Sequence, residues 1–462
     1  MTHSTIPAGV LDASHATDHI ILSGWVLDQP VNPAKIKVAW IALTESWPVL
    51  LARLRKNALG QLEYIIPHGI SLSGSFAALA ISDSIHNHYS YTRPSQTISC
   101  VPKRNPHHLF LPYAPKSIQE LMDSDKPMCH LHVTNFDDAA LIGLSVPHLL
   151  CDASGVAIII KALCTLINSG AKPRPLNHHD PFASYKRKDG VAREVPAPPH
   201  WRLLTRLDRA ILYIRQLWEH FLGSRVDNYD IFIPQLEVQR MKTQAMRDIS
   251  IQYGSNTGRY VSTSDVVLAF LLQCTHSSST SHAPLNVFYT FNMRGALGIR
   301  EPFIHNAVAM VVTPPIPCSS VSKMTLGSLS LLIRDTLMVQ TTPDSLKTWI
   351  CWRLCNAGRP KSFFRPLNGR WNVVTNARAM NLMDIDFTGA LDHHQTERQD
   401  GDMKTVPAVR CVYAWGNGIQ PYQLRNWIGI WADDPSGGIW ASAFLPTSVW
   451  KNKEGFGRFI SS

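Results

Sequence analysis

The sequence lacks most of the features that place a chain in a special class. Its longest nearly apolar stretch, Ala139 to Leu150, is interrupted by Ser145, Pro147 and His148. A helix crossing a bilayer needs about 20 predominantly apolar residues, so no such span is expected. The opening residues, MTHSTIPAGVLDASHATDHI, have no basic start followed by an apolar core, and so do not read as a secretory leader. The nine cysteines are odd in number and lack CxxC spacing. They suit reduced thiols in a cytoplasmic protein better than a disulfide framework. Charged residues are sparse, at 17% against 45% hydrophobic, which excludes a disordered chain. Acidic residues are outnumbered, giving a net charge of +10. The basic residues nevertheless fall in short groups (Arg53, Arg55, Lys56; Lys186, Arg187, Lys188; Arg202, Arg206, Arg209) and form no block interleaved with aromatics. That argues against a nucleic-acid binder and leaves two readings, a merely solvated basic surface, which is the plainer one, or attraction of an anionic ligand such as a phosphate-bearing cofactor.

What is present is enough apolar material for large cores. A single core stops growing at roughly 250 to 300 residues, so 462 residues imply two domains. Ile20 to Leu27 reads as a strand, and Ala34 to Lys56 as an amphipathic helix that Pro48 interrupts. Ser117 and Glu120 have the spacing of a capping box. Cys129 to Phe136 and Ala139 to Val146 read as a hairpin turning at Asp137-Asp138, followed by a helix over Val156 to Ile167. Residues 170 to 200, rich in proline and charge, resemble a crossover between domains. Further on, helices are expected over Val266 to Cys274 and Thr325 to Val339. Strands are expected over Val287 to Met293, Cys411 to Trp415, Trp427 to Trp431 and Ile439 to Phe444. Strands alternating with helices, joined by both hairpins and crossovers, indicate an α/β protein with mixed sheets.

The chemical signal is His148-Leu149-Leu150-Cys151-Asp152. The spacing by itself is weak: with 20 histidines, about one such His-Asp pair arises by chance. Its setting adds weight. His148 ends an apolar strand, Pro147 stiffens the approach, and Ala153, Ser154 and Gly155 are small enough for a tight turn into the next helix. Neutral imidazole, with an unperturbed pKa of about 6.5, suits a general base at neutral pH. Asp152 can either orient that ring or shape the loop through an ion pair. The plainer reading is a core histidine satisfied by main chain at a strand end.

Five segments in order strengthen the chemical reading. LSGWVLDQP, HLLCDASG, VSTSDVVLAFLLQC, FNMRGALGIREPFIHNAV and VVTNARAMNLMDIDFTGA resemble, over most of the chain, the BAHD acyltransferases of fungal secondary metabolism. The resemblance implies two chloramphenicol-acetyltransferase-like domains with a tunnel between them. It implies that His148 is the catalytic base, that Asp152 points away from substrate and pairs with Arg294, and that Thr375 assists the oxyanion or lines the substrate site. Gly155, Asn306, Asp386 and Gly389 match structural positions of the family motifs. It further implies acyl-CoA, acetyl-CoA foremost, as co-substrate, a small-molecule hydrophobic acceptor, no metal, and a cytoplasmic monomer. The domains would comprise residues 1–200 with about 380–418, a crossover over 201–218, and 219–379 with about 419–462.

The sequence departs from the family at the DFGWG motif, which reads Asp386-Phe387-Thr388-Gly389-Ala390, and at His305, which replaces a glycine before Asn306. Ala377 stands where the family has tryptophan, which implies a roomier acceptor pocket, and residues 391–410 resemble an insertion. Such decay keeps a second function open, a CoA-independent isomerase or cyclase using His148 for proton transfer. Cys151 as nucleophile lacks a supporting histidine. His178-His179-Asp180 and Asp392-His393-His394 lack zinc-ligand spacing.

Overall fold

The structure, a computed structural model, describes every residue except 1–2, 15–18, 68–73, 105, 178, 186–194, 256–257, 357–368, 392–408, 418–423 and 461–462. Most of the insertion, the whole Lys186 group, His178 and the Asp392-His393-His394 cluster therefore lie outside the described residues.

Strands form three sheets. A small one pairs β1 (His3–Pro7), β4 (Leu62–Pro67) and β3 (Arg53–Lys56). The first large sheet runs in the order β14 (Val409–Asn417), β2 (Ile20–Leu27), β8 (Ala140–Pro147), β7 (His130–Asn135), β5 (Phe76–Ala80). The second runs β11 (Val308–Val312), β10 (Pro284–Asn292), β13 (Arg370–Asn376), β15 (Trp427–Asp433), β16 (Ile439–Pro446), β9 (Val226–Ile233), β6 (Ser99–Pro102), with β12 (Ile316–Pro317) beside β10. Both large sheets are mixed: β5 lies parallel to β7, and β13 parallel to β10 and β15, among antiparallel neighbours. The α/β architecture with mixed sheets flanked by helices is thus the one observed. Each large sheet has its own core. One gathers Trp25, Trp40, Leu141, Ile142, Ile159 and Phe387, the other Ile231, Val267, Leu271, Ile428 and Ile430. The sheets exchange chain in both directions: β14 joins the first from late in the sequence, and β6 joins the second from the first third.

Local chemistry accounts for the elements. Every residue of β8 is buried, the signature of a strand covered on both faces. The helix Ala153–Ser169 starts where the Asp152 carboxylate accepts the Gly155 N–H and stops at Gly170, whose φ of 66° few other residues tolerate. Ser262 and Asp265 close a capping box on the helix Thr263–Thr275. At Ser117 only half of that motif forms, because the Glu120 carboxylate takes the Lys116 N–H instead. One expectation is corrected. Residues 34–56 are not a single interrupted helix: the helix Pro33–Ser46 ends before Pro48, a short 3-10 turn follows, and Arg53–Lys56 becomes β3. Pro48 cannot donate to the helix, and the open edge of β4 offers the next residues main-chain partners.

Gly24 and Gly143 face each other across β2 and β8 and leave a trench that residue Phe110 fills. A Cβ on Gly143 would stand 2.1 Å from the Phe110 carbonyl oxygen. Gly143→Val should therefore cost at least about 3 kcal/mol, beyond ordinary overpacking because main chain is struck, read as a lower urea midpoint. A variant as stable as the parent would show that this contact is not made.

Candidate active site

Two strand ends deliver the site. The carboxyl end of β8 carries His148, and the chain leaving β10 carries Asn292 and Arg294. They meet at the amino end of the helix Ala153–Ser169, where Asn292 Nδ2 donates to Ser154 Oγ at 3.1 Å.

Asp152 and Arg294 form a closed unit. Arg294 Nη1 and Nη2 donate to the two carboxylate oxygens at 3.0 and 3.1 Å, with both side chains about 5% exposed. The remaining guanidinium donors reach the Phe303 carbonyl, the His305 carbonyl and Asn292 Oδ1. The carboxylate also accepts the N–H groups of Gly155 and Ala307. All five donors of the arginine are used, together with four acceptor positions of the aspartate. Burial works to raise the Asp152 pKa, but the Arg294 charge and these hydrogen bonds outweigh it and hold the carboxyl below its ordinary value. Of the two roles left open for Asp152, the geometry shows the ion pair, with no hydrogen bond to the His148 ring among the described residues. Gly155 is confined by close approach, since a Cβ there would lie 2.1 Å from the Ile304 carbonyl oxygen.

His148 stands at the rim of this unit. Its main-chain N–H donates to the His19 carbonyl at 3.1 Å, and the two rings meet edge to face with centroids 4.7 Å apart. The ring is half-buried. Its Nδ1 is sealed, with no well-formed hydrogen bond among the described residues. Burial pulls the pKa of His148 down despite the opposing pull of Asp152 and Asp12, and burial with the neighbouring His148 takes His19 down to about 3. Both imidazoles are therefore neutral at pH 7.

A second polar group, which the sequence did not reveal, holds the loop from behind. Asp12 Oδ1 accepts the main-chain and side-chain N–H of Asn306, and its Oδ2 pairs with His305 Nδ1 at 3.0 Å. From there Asn306 Nδ2 reaches the His148 carbonyl at 2.9 Å, and the Tyr64 hydroxyl the Leu149 carbonyl at 2.9 Å. Burial lowers the pKa of His305, but Asp12 outweighs it, so His305 is raised overall. Asp12 and His19 lie in the opening segment, where nothing in their spacing marks them. The position of His305 was noted only as a replaced glycine.

Three expected residues remain, Thr375, Asp386 and Gly389. Thr375 is half-buried near the carboxyl end of β13, and among the described residues its hydroxyl has no hydrogen-bond partner. Asp386 and Gly389 sit at the opposite end of the helix Ala153–Ser169, about 25 Å from Asp152 at 1.5 Å per residue. There the Asp386 carbonyl and the Gly389 N–H bracket Asn168, Phe387 is fully buried, and the Ala390 carbonyl accepts the Asn32 N–H. The altered motif thus still staples two helices, remote from the base. Cys151 is fully buried, and burial with Cys129 and Asp152 pushes its thiol well above the ordinary range, which leaves no thiolate to act.

Asp152→Ala should cost about 3 to 5 kcal/mol, because it strands a buried guanidinium, read as a lower denaturant midpoint. The pH dependence has a definite sign. With the folded pKa depressed, the stabilisation is present above the unfolded value of about 4 and is lost as pH falls through the folded one. The parent should therefore destabilise on acidification below pH ~4 by more than the variant does. Parallel acid unfolding curves would remove the ion pair from that account.

No family model matches the chain. In sequence it is 25% identical to an acetyltransferase, MATC1 of Mycosarcoma maydis, covering 99% of this chain and 97% of that protein. It is 23% identical to the acetyltransferase adrJ of Penicillium roqueforti, covering 92% and 90%. It is also 23% identical to a protein named transcriptional regulator calD of Penicillium decumbens, covering 98% and 95%. Among solved structures, TRI101 of F. graminearum complexed with ethyl coenzyme A superimposes with a TM-score of 0.68 at 12% identity, covering 99% of each chain. Vinorine synthase gives 0.61 at 13%, covering 97% and 95%. Acetyltransferase relatives along the whole sequence, and the two-domain fold of TRI101 and vinorine synthase, bear out the resemblance of this chain to the BAHD acyltransferases.

Proposed function

We propose that this protein transfers an acyl group, acetyl foremost, from acyl-CoA to a hydroxyl (or, as the second choice, an amine) of a hydrophobic secondary metabolite. The observation that carries the proposal is His148: a half-buried, neutral imidazole at a strand end, whose carbonyl side is pinned and whose Nδ1 is sealed. Nε2 is left as the nitrogen able to take a proton from a bound acceptor. The named acetyltransferase relatives and the CoA complexes of fold neighbours support the choice of donor.

The step proceeds without an acyl-enzyme. The acceptor O–H gives its proton to Nε2 while the oxygen attacks the thioester carbonyl. The tetrahedral intermediate then collapses, and the departing CoA sulfur takes that proton back from the imidazolium. The inert Cys151 supports direct attack. The Thr375 hydroxyl, unbonded among the described residues, is the candidate donor to the oxyanion. Asp152 and Arg294 act as positioning residues. The two sheets would centre the two domains, residues 1–200 with about 380–418 and 219–379 with about 419–462. The helix Arg206–Phe221 overlaps the crossover of 201–218, and β6 is the exception that crosses.

His148→Ala should lower turnover by about 100-fold to 10,000-fold with an unchanged melting curve and acyl-CoA affinity, measured by transfer of labelled acetyl to a pool of hydroxylated acceptors. Full retention of transfer would exclude His148 as base, and no transfer by the parent from any acyl-CoA would exclude the reaction. Because burial lowers the pKa of His148, the acid limb of kcat/KM should have its midpoint below the ordinary imidazole value of about 6.5. A midpoint above that value would contradict a base in this setting.

A further inference from the structure

The helix Arg206–Phe221 has its polarity reversed for a helix packed on a core. The positions it turns toward the protein, Asp208, Leu212, Arg215 and Glu219, follow helical spacing, and three of the four are charged. Asp208 is buried, accepts the Thr205 N–H and pairs with Arg202 at 3.2 Å. Arg215 pairs with Glu219 at 3.1 Å, donates to the Gly369 carbonyl at 2.7 Å and lies 5.1 Å over the Trp371 ring. Leu207, Ile211, Ile214, Trp218 and Leu222 recur at the same period on another face, and that face is in water. Leu207 is 70% exposed, Ile214 64% and Trp218 65%. A stripe of large apolar side chains along a whole helix is unlike singly scattered surface leucines, and marks a binding surface.

We propose that this helix seats the protein on an anionic lipid surface, lying in the plane of the headgroups. The composition fits that occupant: a marked apolar stripe of leucine, isoleucine and tryptophan on a helix too polar and too short to span, with Tyr213 also 62% exposed. The charge fits as well. Of the five arginines over residues 202–225, Arg202, Arg215 and Arg225 pair with Asp208, Glu219 and Asp227, while the exposed Arg206 and Arg209 have no ion pair among the described residues and stand in the first turn of the helix, within a chain of net charge +10. The same charge argues against a second copy of the chain. A two-fold interface through this face would bring the unpaired Arg206 and Arg209 of both copies into one contact, where like charges repel. The seat is independent of the transfer reaction.

The experiment is sedimentation of the full chain with vesicles of phosphatidylcholine alone and of phosphatidylcholine mixed with phosphatidylserine, at low and high salt. The parent should sediment with the phosphatidylserine vesicles, more weakly at high salt, and with little of it on the neutral ones. The double variant Ile214→Ser, Trp218→Ser should partition at least about tenfold less, because both side chains that enter the lipid are removed. Its melting curve and transfer to a water-soluble acceptor should match the parent. Absence of binding to either vesicle, equal binding to both, or a parent dimer in light scattering that the same double variant dissociates would each overturn the proposal.

Discussion

The Asp152–Arg294 pair is the constraint on which the arrangement of the site rests. Two ions withdrawn from water are expensive to bury, and the cost is met only when every polar atom finds a partner. Here the pair is saturated, and its partners come from four places in the chain: the start of a helix, the end of β10, and the segments around Phe303 and Ala307. The result is a rigid joint between the strand that presents His148 and the strand that leads out of the second sheet. The aspartate of the HxxxD spacing therefore serves architecture. It caps its own helix with one oxygen and takes a guanidinium across both, which leaves the histidine ring free of a carboxylate partner.

That freedom shapes the electrostatics of the imidazole. A histidine bonded to a buried carboxylate rises in pKa, as His305 does beside Asp12. His148 has no such bond and is buried beside the neutral His19 ring, so it falls. Two histidines close in the fold are driven in opposite directions by one difference, the presence of a carboxylate at 3.0 Å. The raised one holds the loop through Asp12 and Asn306, and the lowered one is available to take a proton. Positioning and chemistry are thereby divided between separate groups, and loop geometry is set by main-chain carbonyls that do not titrate.

The departures from the family pattern take on physical meaning in this frame. The DFTGA loop keeps the two things its place in the fold demands: a buried aromatic at Phe387, and a glycine where a Cβ would strike the Ile167 carbonyl oxygen at 2.3 Å. Its missing tryptophan and terminal glycine belong to the remote end of the helix. The replacement of glycine by His305 is of another kind, because the new side chain reaches Asp12 and joins the clamp behind the loop.

Much of the fold was legible in the sequence because it is local. The apolar runs of β2 and β8, the alternation in β7, and the hairpin turn at Asp137-Asp138 are settled by residues within a few positions of one another. The misreading of residues 34–56 arose where a neighbouring strand edge, not the segment's own pattern, decided the outcome. Of the site, the sequence by itself determined that His148 ends a buried strand, that Asp152 starts a helix, and that Arg294 follows another strand. Only the tertiary structure decided that Arg294 saturates Asp152 across 142 positions, that Asp12 clamps Asn306 across 294, and that His19 lies against the base. Only it turned the apolar stripe of the helix Arg206–Phe221 outward. Periodicity records which residues share a face of an element. Which face then meets protein, and which distant groups share a buried site, follows from packing the elements together.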